Sequence, residues 1–282
     1  MAIPTPAPPE RFEIALRALT PLRVLHSPRC IGIENIPAEG PFLLVGNHTV
    51  FGLLDAPLML AEIYEQRGRF LRSLGDHAHY SIPGWRDLLN RYGTVRGTRE
   101  NCAELMDGGE PILVFPGGGR EVMKRKGEKY RLIWKERIGF VAMAAAHDYP
   151  IVPFGSVGTE EAFDIHLDGD SPLMAPARAV AKLLTGRADM VPPIATGIGP
   201  TMWPRPERFY FGFGAPIGSA ATDPEDLAGL RRLREVVRGG VESEIAKLLL
   251  LREGDPERYP PARLRRGLEQ SLRGLFSSGE PG

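Results

Sequence analysis

Short runs of consecutive apolar residues alternate along this chain with longer stretches in which apolar positions recur every three or four residues. The first pattern predicts buried strands and the second predicts helices packed through one face. Phe42–Gly46, Ile112–Phe115, Ile151–Phe154 and Phe209–Phe213 read as strands, with further ones at Phe70–Leu74 and Tyr92–Val95. Helices are predicted over 55–67, 83–92, 98–106, 134–147, 172–184 and 223–251, the last weakened at Gly239-Gly240. Turn signals separate them, such as Glu39-Gly40-Pro41 before a strand and Gly108-Gly109 after a helix. Between 11 and 24, Phe12, Ile14, Leu16, Leu19, Leu22 and Val24 recur among three arginines and are interrupted by Pro21. That stretch is either a helix packed on the core or an amphipathic anchor on anionic lipid. Strands alternating with helices predict an α/β fold with a mostly parallel central sheet flanked by helices.

The 282 residues carry no internal repeat and no sharp change of composition. One domain is expected over 10–252, after a proline-rich lead at 1–9 read as disordered and before a charged tail at 253–282 with helical character. Thirty-five basic residues balance thirty-five acidic ones, so no global field attracts nucleic acid. Two cysteines far apart fit neither a disulfide scaffold nor a zinc site and point to a reducing, cytoplasmic setting. The N-terminus lacks the apolar core of a secretory signal, and no apolar run approaches the length of a spanning helix. The expectation is a protein that is soluble or rests on a membrane without crossing it.

Gly46-Asn47-His48 follows a strand directly, which places His48 at the carboxyl edge of the sheet, where α/β sites form. Asp55, downstream, can either cap the helix it opens or accept a proton from the imidazole and fix its tautomer. Gly93 to Arg99 and Phe115-Pro116-Gly117-Gly118-Gly119-Arg120 each put an arginine in a loop after a strand, which suits an anion. Amides of the glycine turn can cradle an oxyanion. From Arg120 to Arg137 eight basic residues face three acidic ones, densest at Lys124-Arg125-Lys126. This segment is a solvated loop or a lid that touches phosphate. His77 and His79 lack a third ligand, so no metal site is expected. Ser156 lacks the setting of a nucleophile elbow.

The order of these pieces resembles the glycerolipid acyltransferase superfamily: strand-Asn-His, Gly-x5-Arg, Phe-Pro-Gly-Gly-Gly-Arg, then Tyr149-Pro-Ile-Val-Pro153. Ile33–Pro41 resembles the lead-in to the histidine, and the likeness spans about residues 30 to 160. The resemblance implies a glycerolipid-acyltransferase-like fold and an O-acyltransferase that needs no cofactor. In that reading His48 is the general base, with Asp55 behind it. Arg99, Gly117, Gly118, Gly119, Arg120 and Lys124 would bind substrate. The co-substrate would be acyl-CoA or acyl-carrier protein. The acceptor would be a lipid-like alcohol such as a lysophospholipid, a mono- or diacylglycerol or a long-chain alcohol, met at the inner face of the cell membrane. Two positions depart from the family pattern. Six residues separate His48 from Asp55 where four are usual, and Gly117 stands where a glutamate is usual. The second departure resembles the diacylglycerol acyltransferase-like and phytyl-ester-synthase-like branch and favours a neutral alcohol. A thioesterase at the same site and a non-catalytic lipid-binding protein are the alternatives. Phe163, Leu167, Leu173 and Met174 are candidates for an apolar acyl channel.

Overall fold

The computed structural model describes residues 3–7, 9–52, 54–81 and 84–265. Among them are nine strands: β1 (Arg29–Ile31), β2 (Leu43–Gly46), β3 (Arg72–Gly75), β4 (Thr94–Arg96), β5 (Ile112–Val114), β6 (Ile151–Val157), β7 (Asp164–Leu167), β8 (Ile194–Thr196) and β9 (Tyr210–Phe213). The helices are α1 (Pro9–His26), α2 (Asp55–Arg67), α3 (Trp85–Arg91), α4 (Arg99–Asp107), α5 (Gly118–Val122), α6 (Gly139–Ala146), α7 (Ala175–Thr185) and α8 (Leu227–Glu253). Seven strands make one sheet in the order β1-β9-β6-β2-β5-β3-β4, and β7 pairs with β8 in a separate antiparallel ribbon. The five strands from β6 to β4 are parallel. β9 runs antiparallel to β6, and β1 runs parallel to β9. The fold is therefore the mostly parallel α/β sheet that the sequence pattern predicts.

β2 and β6 are buried along their whole length because helices cover both faces, which is why they read as unbroken apolar runs. Within β2, Leu43 and Val45 join a core with Val141 of α6 and Val237, Val241 and Ile245 of α8. Leu44, one residue out of phase, joins Leu58, Met59 and Ile63 of α2 on the opposite face. The sheet is thus the middle of three layers, with its central strand set between two cores.

Several elements differ from the sequence expectation. β1, β7, β8 and α5 were not expected; the three strands have three or four residues and α5 has five, too short for any periodicity to register. The helix expected from Trp134 starts at Gly139, and Trp134 lies in the preceding loop, buried edge-on against Phe140. α8 runs through Gly239-Gly240 without a break. A Cβ on Gly240 would lie 2.9 Å from Pro153, so that glycine lets α8 close onto β6. α1 likewise continues past Pro21. It packs on the body through Phe12, which meets Tyr64 and Phe70 edge-on, and through an ion pair from Arg23 to Glu62 at 2.8 Å.

Described residues of the lead and of the tail bond to the body of the fold. Ile3 donates its amide to Glu104, Arg72 donates to the Pro4 carbonyl and the Ala7 amide bonds Arg91. In the tail, Asp255 pairs with Arg208 at 3.0 Å and Arg263 donates to the Leu25 and Pro206 carbonyls. Residues 266–282 of the expected tail lie outside the described residues.

Candidate active site

Three adjacent parallel strands, β2, β5 and β3, end at one edge of the sheet and deliver His48, the Phe115–Gly119 turn and Asp76–His79. The register at the end of β2 is held by buried Asn47. Its side-chain amide donates to the Ser156 carbonyl at 2.9 Å, and its oxygen accepts from the Ser156 amide at 2.7 Å. This clamp onto β6 fixes the backbone from which His48 projects.

His48 Nδ1 lies 3.1 Å from Asp55 Oδ2, and the same oxygen accepts the Thr49 amide at 2.9 Å. The imidazole stacks on Phe115 with ring centroids 3.8 Å apart and planes within 9°. Its side chain is 17% exposed, whereas that of Asp55 is 2% exposed. A carboxylate at Nδ1 favours the tautomer that leaves Nε2 unprotonated. Asp55 is the first residue of α2 rather than its cap, which is Leu54. Burial raises the Asp55 carboxyl. The His48 charge and hydrogen bonds from His48 and Thr49 more than offset this, so the carboxyl titrates below its ordinary range.

The long spacing between His48 and Asp55 is absorbed by a turn. Gly52 donates its amide to the Thr49 carbonyl at 3.1 Å, and Phe51 donates to Val122 at 3.0 Å. Phe51 and Gly52 have φ of 64° and 62°, in the left-handed region. A Cβ on Gly52 would come within 2.5 Å of the His48 ring, so glycine is required there twice over.

Across the ring lies the turn after β5. Gly118 donates its amide to the Phe115 carbonyl at 2.9 Å, and Arg137 donates to the Pro116 carbonyl at 2.6 Å. A Cβ on Gly117 would collide with the carboxylate of Glu121. Glu121 is a residue the sequence reasoning missed. It is fully buried, and neither carboxylate oxygen has a hydrogen-bond partner among the described residues. Burial pushes its carboxyl up to about 7, against the opposing pull of Lys124 and His48. A signal was available: Glu121 follows Gly117 by four residues, the spacing that returns a side chain to the same face of a helical turn.

The structure places the expected anion binders differently from one another. Arg120 is buried and its guanidinium holds Glu128 at 2.7 and 3.0 Å. Lys124 is buried in an ion pair with Glu160 at 2.9 Å and donates to the Arg131 carbonyl at 3.1 Å. Both cations face acids of the protein itself. Arg99 is exposed at the start of α4, after β4. β4 is three strands from β2, which puts it roughly 14 Å away at ordinary strand spacing. Arg137 was not singled out. Its guanidinium lies within 3.0 Å of where a Gly118 side chain would begin and has no carboxylate partner among the described residues.

The basic segment is largely neutralised from elsewhere in the chain. Besides Arg120 and Lys124, Arg125 pairs with Asp170, Lys129 with Glu161 and Lys135 with Asp189. His77 accepts from Arg96 at 2.8 Å and His79 from Trp85 at 3.1 Å. Burial depresses the His79 imidazole, which also feels the charge of His48. A cavity of about 360 Å³ lies between the basic segment and the start of β7, with Val50, Lys124, Phe163 and Ile165 among its walls. Of the four expected channel residues only Phe163 lines it; Leu173 is 76% exposed.

Residues 27–157 match the family model Acyltransferase. The chain is 32% identical to phytyl ester synthase 1, chloroplastic, of Arabidopsis thaliana over 273 residues, covering 89% of this chain and 38% of that protein. It is 34% identical over 140 residues to the Bos taurus DGAT1/2-independent enzyme synthesizing storage lipids, covering 50% of this chain and 41% of that protein. The chain thus spans about two fifths of the length of these relatives. Among solved structures, the 1-acyl-sn-glycerophosphate acyltransferase PlsC of Thermotoga maritima superposes with a TM-score of 0.46 at 19% identity, over 82% of this chain and 76% of that one. No helix among the described residues is long and apolar enough to cross a membrane.

Proposed function

We propose, from the match of residues 27–157 to the family model Acyltransferase, that the protein moves a fatty acyl group from a thioester, acyl-CoA or an acyl-carrier protein, to a lipid-like alcohol. The observation that carries the reading is the His48 imidazole, sealed against Asp55 at one nitrogen and partly exposed between two strand-end turns. The acceptor hydroxyl attacks the thioester carbonyl carbon while Nε2 takes its proton, a contribution of about 10²–10⁴ in rate. The tetrahedral oxyanion is met by amides of the glycine turn, where Gly117 and Gly119 are the donors because Gly118 is bonded to Phe115. Collapse re-forms the carbonyl and breaks the C–S bond, and the imidazolium returns its proton to the departing thiolate.

Engagement of Arg120 and Lys124 by Glu128 and Glu160 supports a neutral alcohol over a phosphate-bearing acceptor. Arg137 and, farther along the edge, Arg99 remain for phosphates of the donor. In this reading the enzyme works peripherally at a membrane that supplies the acceptor.

The test is mass spectrometry of products after incubating the purified protein with a long-chain acyl-CoA and a panel of lysophospholipid, acylglycerol and long-chain alcohol acceptors. An ester that forms only with acceptor present, and is lost in His48→Ala, is expected. Free fatty acid released at the same rate without acceptor would replace the reading with a thioesterase.

A further inference from the structure

We propose that the excursion between β7 and β8 is the face by which this protein docks onto an anionic bilayer. This deepens the peripheral reading above. α7 is a helix of 11 residues with no buried side chain among its described positions. A helix normally survives in a folded protein by burying an apolar face, and this one leaves its apolar face outside. Leu173, Val180 and Leu183 are 76%, 54% and 84% exposed and follow one another at helical spacing. Arg178 lies on the other flank and is tied down, donating to the Gly169 and Ser171 carbonyls at 2.7 and 2.8 Å. That anchor sets the helix orientation and turns the leucine flank away from it.

The return limb repeats the pattern. Beyond β8, the Gly197 amide bonds the Thr201 carbonyl and the Ile198 amide bonds that of Trp203, forming a tight turn. Its tip presents Ile198, Met202 and Trp203 at 47%, 57% and 60% exposure. An exposed tryptophan beside aliphatic side chains has the amphipathic character that settles at the headgroup level of a bilayer.

Charge selects the occupant. Residues 168–206 contain three acidic residues, Asp168, Asp170 and Asp189, and four basic ones, Arg178, Lys182, Arg187 and Arg205. Asp170 pairs with Arg125, Asp189 with Arg187 and Arg205 with Asp164, which leaves Arg178 and Lys182, both on α7, without a carboxylate partner among the described residues. In a chain whose overall charge is zero, these two cations sit on the same helix as the exposed apolar side chains and favour anionic lipid. Apolar side chains on one face and cations on the flank are what an interfacial helix needs.

The experiment is flotation of the full chain with vesicles of phosphatidylglycerol and, separately, of phosphatidylcholine. Binding to the first, weaker binding to the second and a blue shift of the emission lost in Trp203→Phe are expected. Val180→Asp with Leu183→Asp should reduce flotation about tenfold or more, and Lys182→Glu about fivefold on the anionic vesicles alone. Circular dichroism and acyl transfer to a soluble, monomeric alcohol should stay as in the parent for both variants. No flotation of the parent, or equal flotation of the double Asp variant, overturns the proposal. A dimer in sedimentation that the double variant dissolves, without vesicle binding, also overturns it and gives the face to a second copy of the chain. Vesicle binding without transfer to any acceptor would refute the proposed reaction and leave the docking face standing.

Discussion

Two buried carboxylates flank His48, and their surroundings drive them in opposite directions. Asp55, on the β2–α2 side, accepts bonds from the imidazole and the Thr49 amide and titrates below its ordinary range. Glu121, on the β5–α5 side, has no hydrogen-bond partner among the described residues and is pushed up to about 7. Lys124 also lies between two acids, Glu121 and Glu160, and its ion pair is with Glu160. Burial raises both Glu121 and Glu160, and Lys124 pulls both back, bonding directly only to Glu160. Burial alone therefore does not decide protonation. Partners do, and the same depth lowers one carboxyl below its ordinary range and raises the other above it.

The largest expected effect tests the ring itself. His48→Ala should lower acyl transfer by about 10²–10⁴, and the thermal midpoint should fall as well because buried Asp55 loses its imidazole partner. Next is Asp55→Asn, which removes the acceptor that fixes the tautomer; a loss on the order of 10² in kcat is expected, with KM nearly unchanged. The stability Asp55 contributes is complete above the unfolded carboxyl range near 4 and is lost as pH falls through its lower folded value. The Asn variant should therefore lose the corresponding part of the parent's acid transition.

Gly52→Ala should reduce activity more than stability, because the new methyl meets the His48 ring and the backbone has φ of 62°. Melting and turnover measured on the same preparation separate the two. The smallest effect sharpens the comparison most. Glu121 holds its proton more tightly folded than unfolded, so this group's contribution lowers stability as pH rises from about 4.5 to about 7. Glu121→Gln should remove that slope, leaving a melting temperature flatter between pH 5 and pH 8 than in the parent. An unchanged slope would mean that Glu121 is ionised throughout and that the contrast with Asp55 does not hold.

Much of this was legible in the chain. The strands that pair at the centre of the sheet, the helix opened by Asp55 and the place of His48 follow from apolar periodicity and from a strand that ends in Asn-His. The glycine turn was visible as well, though not that Glu121 fills the space a residue 117 side chain would need. Arg120 and Lys124 read as open anion binders because a local charge count does not say which charges pair and leaves out acids far along the chain. Glu128 is eight residues from Arg120, and Glu160 is thirty-six from Lys124. Likewise, α7 read as one helix among others, and nothing in its periodicity says whether its apolar face is covered.

The sequence by itself determined the alternation of layers and the residues able to do chemistry, because periodicity and residue type are local properties. Tertiary structure alone decided which charges are neutralised, how six residues fold back so that Asp55 meets His48, and which apolar face stays uncovered. Those outcomes depend on distances between segments far apart in the chain, and ion pairing and burial act through such distances.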